Sequence, residues 1–142
     1  MYLWDTNILT HFVDGQVTLR EHLRRTPWTQ IALPSVAVAE ALRGRCDFAL
    51  KATSSQLPLA HQLLSETRQL LQSFQVIVFD QACALALAQL QKQHRRHKRY
   101  TDLMIAAMAL AGDHVVVTRN TRHFADVLPT ARLTNWIDDP PR

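Results

Sequence analysis

The chain of 142 residues is short of everything that loosens or staples a fold. It has 3 glycines and 2 cysteines. So little glycine excludes a collagen-like or linker-type chain and implies mostly regular structure. Cys46 and Cys83 stand far apart, with no CxxC and no Cys/His metal spacing around them. That excludes a disulfide framework and a thiolate metal site, and it reads as core or near-core thiols of a reducing compartment. Long hydrophobic runs are absent as well. The longest, residues 103–111, falls well short of the roughly 20 residues that a bilayer span requires. Asp5 breaks the N-terminal apolar stretch before a signal peptide could form. The expectation is a soluble cytoplasmic protein without membrane association.

What is present is globular. Hydrophobic residues at 47% and charged residues at 20% exclude a disordered or coiled-coil chain. The length fits one domain that buries a real core. Residues 1–137 read as that domain. Residues 138–142, Asp-Asp-Pro-Pro-Arg, read as a short flexible tail. Lys and Arg (16) exceed Asp and Glu (12), a net charge of +4. This suits a polyanionic partner but does not require one.

Five short apolar or β-branched runs, 2–4, 31–33, 76–79, 115–118 and 132–136, have strand character. Helical spacing falls between them, over 7–13, 18–25, 36–45, 57–74, 81–94 and 102–111. Ser35 and Thr101 are candidate N-caps, and Gly112 follows the last helix as a terminator. Met104 and Met108 lie one turn apart on that apolar helix and read as core. Strands alternating with helices imply right-handed crossovers and a parallel sheet. The expected fold is a three-layer α/β/α domain with a mainly parallel sheet of about five strands.

In such a sheet, ligand sites form beyond the carboxyl ends of the strands. The acids are distributed accordingly. Asp5 ends the first strand, Glu40 lies in the helix after the second, and Asp102 opens the helix that feeds the fourth. Thr118 and Asn120 leave the fourth strand. Each has a plain reading. Asp5 caps a helix, and Asp102 compensates a helix dipole. Glu40 has apolar neighbours from Val36 to Leu42, so it should be partly buried and in need of a partner. Arg43, Arg45 or a metal ion could be that partner. As a set, the acids repel: two carboxylates 4 Å apart cost about 4 kcal/mol at an effective dielectric of 20. Protonation, neighbouring cations or a bound metal must offset that. Oxygen ligands without Cys or His point to Mg²⁺ or Mn²⁺, a site that binds phosphoryl oxygens and activates water.

Five ordered pieces carry a resemblance. They are Leu3-Trp4-Asp5-Thr6-Asn7-Ile8-Leu9, Pro34-Ser35-Val36 with Glu40-Ala41-Leu42-Arg43-Gly44, Tyr100-Thr101-Asp102-Leu103-Met104-Ile105-Ala106-Ala107, Val116-Val117-Thr118-Arg119-Asn120-Thr121-Arg122-His123-Phe124, and Leu133-Thr134-Asn135-Trp136. The set resembles the PIN-domain ribonucleases, in particular the VapC-like toxins of bacterial toxin–antitoxin pairs, over nearly the whole chain. The resemblance implies a Mg²⁺-dependent endoribonuclease, with Mn²⁺ able to substitute. It implies Asp5, Glu40, Asp102 and Asn120 as metal residues, Thr118 as a hydroxyl that orients metal or water, a homodimer, and a cognate antitoxin as partner. Asn120 stands where many relatives carry a fourth Asp, which leaves three formal negative charges. The alternative is a PIN-like protein that binds or processes RNA with weak or no cleavage.

The chain departs from the family again before Asp102, where His94-Arg95-Arg96-His97-Lys98-Arg99 replaces a Gly/Pro-containing loop. This run reads equally as a solvated helix end and as a phosphate clamp on RNA. Arg95, Arg96, Lys98 and Arg99, with Arg119 and Arg122 flanking Asn120, form the expected RNA-binding set. His11, His22, His61, His114 and His123 lack metal spacing and read as surface or packing residues. A phosphoacceptor receiver would need paired acids after the first strand, and a DxD phosphatase is excluded by Asn7.

Overall fold

The computed structural model describes residues 1–97 and 99–142. Five parallel strands, β1 (Tyr2–Trp4), β2 (Ile31–Pro34), β3 (Gln75–Ile77), β4 (Val115–Val117) and β5 (Leu133–Thr134), form one sheet in the order β3-β2-β1-β4-β5. Six helices connect them: α1 (Thr6–Val13), α2 (Val17–Arg25), α3 (Ser35–Lys51), α4 (Leu57–Gln72), α5 (Gln81–Gln93) and α6 (Tyr100–Gly112). The strand order reverses at β1, so the crevice at the carboxyl end of β1 and β4 is the topological switch point of the sheet.

The strands are short because both faces are covered. In the register Leu3↔Ala32 and Leu3↔Val116, these three residues share one face and one core with Cys83 and Leu87 of α5 and Ile105 and Met108 of α6. Trp4, Leu33 and Val117 point the other way, into a second core with Ile8 and Leu9 of α1, Leu19 of α2 and Leu71 of α4. That alternation is the period of two expected of a strand, and it makes the domain three-layered. Trp4 is fully buried among the rings of Phe12, Trp28, Phe74 and Trp136. α6 buries six of its residues, from Leu103 to Ala109, which explains its continuous hydrophobicity.

Local chemistry sets the ends of the elements, and here several expectations need correction. Ser35 does not cap α3. Its hydroxyl accepts the Phe79 N–H at 3.2 Å and ties the helix start to the chain leaving β3. Thr101 lies inside α6, whose first turn begins at Arg99 with the Leu103 N–H on its carbonyl. Gly112 is the last helical residue, and Asp113 makes the left-handed turn at φ 59°, a conformation that Asp tolerates better than most residues. α3 runs on to Lys51 because its second half packs on α4, where the Arg45 Nε donates to Thr67 and the His61 ring meets the Ala49 carbonyl. β3 and β5 are shorter than the apolar runs around them. Cys83 is buried, whereas Cys46 is exposed rather than near-core. Among the described residues no helix is long and apolar enough to cross a membrane.

Residues 138–142 touch the domain at several points. Asp138 pairs with Arg119, the His22 ring meets the Asp139 carbonyl, and Arg25 donates to the Arg142 carbonyl.

Replacing Leu3, which is fully buried on the central strand, by Ala is expected to cost about 2–5 kcal/mol in urea unfolding. Leu50→Ala, at a side chain that is 82% exposed on α3, should change stability by less than about 0.5 kcal/mol.

Candidate active site

Asp5 leaves β1 directly into α1, and its side chain caps that helix by accepting the Thr6 N–H at 2.7 Å. The plain reading of Asp5 as a cap is therefore correct, but it accounts for only one of its oxygens. The other, Oδ2, accepts from the Thr118 hydroxyl and from the Asn7 amide, each at 2.9 Å. Asp5 is 7% exposed and Thr118 is fully buried. Thr118 in turn accepts the Asn120 N–H at 3.0 Å. Its own proton is thus committed to Asp5, and the hydroxyl fixes the carboxylate across the switch point between β1 and β4.

Glu40 projects from α3 and accepts from the Thr6 hydroxyl at 2.9 Å. Its partner is Thr6 rather than Arg43 or Arg45. Asp102 sits in the first turn of α6. Among the described residues its Oδ2 is buried without a hydrogen-bond partner, and Nδ1 of His123 lies 3.7 Å from it. Asp5, Thr6, Asn7, Glu40, Asp102 and Asn120 line one open cleft of about 600 Å³, together with Arg99, Tyr100, Thr101 and His123.

The acids feel one another. Burial raises the Asp5 carboxyl above its ordinary value, against the hydrogen bonds from Thr118 and Thr6 and the charge of His123. Burial also raises Asp102, with the negative charges of Asp5 and Glu40 adding to it and His123 and Arg99 opposing it. Among the described residues, no three His, Cys, Asp or Glu side chains lie close enough together to hold a metal ion as they stand. The acids line the same cleft but remain apart. An open, all-oxygen set with one orphaned buried carboxylate oxygen fits a hard cation that keeps several of its waters, and not a tightly caged one.

The expected RNA-binding residues separate. Among the described residues of that set, Arg99 alone lines the cleft. Arg95 and Arg96 line a neighbouring groove with Lys92, His94 and Asp126. Arg122 faces a third groove, beside His22 and Arg142. The Arg119 guanidinium is held by Asp138 through two contacts of 3.2 Å. Lys98 lies outside the described residues. Sequence reading missed Thr6, Asn7 and His123 among other residues of the cleft. Thr6 and Asn7 directly follow Asp5: the Thr6 backbone N–H and the Asn7 amide donate to that buried acid, and the Thr6 hydroxyl donates to Glu40. His123 has no signal of its own, because the short 3₁₀ turn Thr121–His123 alone brings it opposite Asp102.

Comparison with known proteins bears on the fold and the family. No curated protein sequence matches the chain. Among solved structures, FitAcB from Neisseria gonorrhoeae is 26% identical, with 98% of this chain and 100% of that one covered and a TM-score of 0.73. DNA-bound VapBC from Salmonella typhimurium is 21% identical over 95% of this chain and 97% of that one, with a TM-score of 0.75. A toxin–antitoxin complex from Klebsiella pneumoniae is 23% identical over 96% and 98%, with a TM-score of 0.70. The PIN domain family matches residues 2–127, a span that carries all three acids and both residues leaving β4, and the chain belongs to that family.

Proposed function

We propose that the protein is a metal-dependent endoribonuclease and the toxin of a toxin–antitoxin pair. The observation that carries this reading is the buried oxygen of Asp102, without a hydrogen-bond partner among the described residues, in a cleft shared with Asp5 and Glu40 at the switch point of a PIN fold. Asp5, Glu40 and Asp102 would hold Mg²⁺, or Mn²⁺ in its place, with the Asn120 amide oxygen as a neutral fourth ligand. When bound, such an ion activates water and neutralises charge on phosphoryl oxygens. The chain's own residues prepare that chemistry. Thr118, Asn7 and the Thr6 N–H hold Asp5 in one orientation, and Thr6 does the same for Glu40. RNA, as a polyanion, matches the basic grooves that flank the acidic cleft.

The toxin reading is supported by likeness to toxin–antitoxin structures and by a second cavity of about 460 Å³ between α1, α3 and α4. Leu9, Val13, Ala41 and Leu70 line it, and it shares Thr6, Thr10 and Glu40 with the cleft. An antitoxin segment with an apolar face and one cationic side chain would fill it and reach Glu40. Homodimer formation would cover apolar surface around the edge strand β3, where Val76, Val78 and Leu85 are exposed. Expression alone should arrest growth, and co-expression of the cognate antitoxin should restore it.

Asp102→Asn is expected to abolish RNA cleavage, and EDTA should do the same to the wild type. The metal-free variant should also melt a few degrees higher at neutral pH. The sign follows from the raised folded-state pKa of Asp102. Stability is lost as pH rises from the ordinary value of 3.8 through the folded one, and Asn does not suffer that loss. The gain should therefore vanish in acid below about pH 3.8. Cleavage at the wild-type rate by Asp102→Asn would end the metal-nuclease reading.

Asn120 decides between efficient cleavage and the binding-only alternative. Calorimetric titration of Mn²⁺ should give affinities in the order Asn120→Asp, wild type, Asn120→Ala, because the ligand oxygen is charged, neutral and absent in turn. Equal affinities would make Asn120 a turn residue only. Changing Arg95 and Arg96 together to Ser should reduce the slope of log affinity for single-stranded RNA against log salt by about 1.4, two phosphate contacts at roughly 0.7 each. An unchanged slope would mean that these two residues only cover a helix end.

A further inference from the structure

The cleft that carries Asp5, Glu40 and Asp102 also carries two basic side chains, Arg99 and His123. A phosphodiester brought against three carboxylates needs donors as well, and His123, 3.7 Å from Asp102, is the better placed of the two. Its side chain is 19% exposed, so most of its ring is shielded from bulk water, where hydrogen bonds to an anion gain strength. Its backbone is fixed at three points. The His123 N–H donates to the Asn120 carbonyl at 3.0 Å. The His123 carbonyl is met by the His97 ring at 3.2 Å. The next residue, Phe124, is fully buried in the core. The turn is anchored at its other end by Thr118 on Asp5. The imidazole is therefore presented to the cleft by a rigid support, at 3.7 Å from Asp102. That is too far for a hydrogen bond, so its N–H is not used up by the acid.

Resting on the nuclease reading, we propose that His123 is a catalytic residue that donates a hydrogen bond to a non-bridging oxygen of the scissile phosphate, from its place beside Asp102. A ring N–H is available in either protonation state of imidazole, so the role needs no change of charge. Arg99, which is exposed, would contact the adjoining backbone phosphate and contribute to affinity, whereas His123 would act on the reacting group.

The test compares His123→Ala, His123→Gln and wild type, with circular dichroism to confirm folding. Calorimetry reads Mn²⁺ binding, and cleavage of total bacterial RNA is followed at the fastest-cut site. Loss of one preorganised donor should lower kcat about 100-fold in His123→Ala. Mn²⁺ affinity should stay within about threefold of wild type, since a side chain that donates to the phosphate is not one of the metal's oxygen ligands. Gln keeps an N–H donor and should recover at least about tenfold of the lost rate. Undiminished cleavage by His123→Ala overturns the inference. So does a fall in Mn²⁺ affinity matching that of Asp102→Asn, which would make His123 a support for the acid instead. A wild-type protein that binds Mn²⁺ but cuts no RNA overturns the nuclease reading and this inference together, whereas an active wild type with an equally active His123→Ala overturns this inference alone.

Discussion

A carboxylate that is 7% exposed, Asp5, can remain in the interior only if donors replace the water it has lost. Three do so, from three places: the Thr6 N–H at the start of α1, the Asn7 amide, and the Thr118 hydroxyl at the end of β4. The rest of the site follows from this arrangement. Thr118 is locked by the Asn120 N–H, which sets the path of the chain toward His123. Thr6 turns its hydroxyl to Glu40, which brings α3 to the same edge. One buried acid thus connects β1, α1, α3 and β4, and removal of its charge would slacken all of these links.

Such a site needs a stiff frame, since burial works against both Asp5 and Asp102. The frame is the pair of cores on either side of β1, β2 and β4. Leu3, Ala32 and Val116 are fully buried on one face, and Trp4, Leu33 and Val117 are fully buried on the other. Each neighbouring pair of strand residues contributes to both cores. Side chains packed at this density transmit small displacements instead of absorbing them. The ends of β1 and β4 are therefore held in register, and the distance between Asp5 and Thr118 with them.

The layers and the parallel sheet were legible because the evidence for them is local. Val115, Val116 and Val117 are β-branched in a row, and the apolar run of α6 fits a helix covered all round. Element ends were less legible because they are settled by tertiary contacts. Ser35 has the composition of a cap but spends its hydroxyl on Phe79, 44 positions away. The three acids were legible as a set, since strand-end position is a consequence of topology. His123 was not, because its place opposite Asp102 depends on a single 3₁₀ turn that leaves no periodic trace. The basic residues show the opposite error. Arg119 and Arg122 are close to Asn120 in sequence, yet one is held by Asp138 and the other faces away toward His22. Successive residues of an irregular turn diverge in direction, so sequence proximity is a poor guide there.

Glu40 has a position that neither Asp5 nor Asp102 shares. It borders the acidic cleft, the cavity between α1, α3 and α4, and an apolar groove beside Val36, Phe79 and Met104. Among the described residues its one side-chain hydrogen bond comes from Thr6, which also borders both the cleft and the cavity. An occupant of the cavity that offers a cation to Glu40 must compete with whatever the cleft holds, because one carboxylate serves both spaces and bringing two cations to it also brings them close to each other. Long-range conformational coupling is unnecessary for such exclusion. Shared use of one side chain between two adjoining spaces is enough, and α3 supplies it by carrying an acid on the ridge that divides them.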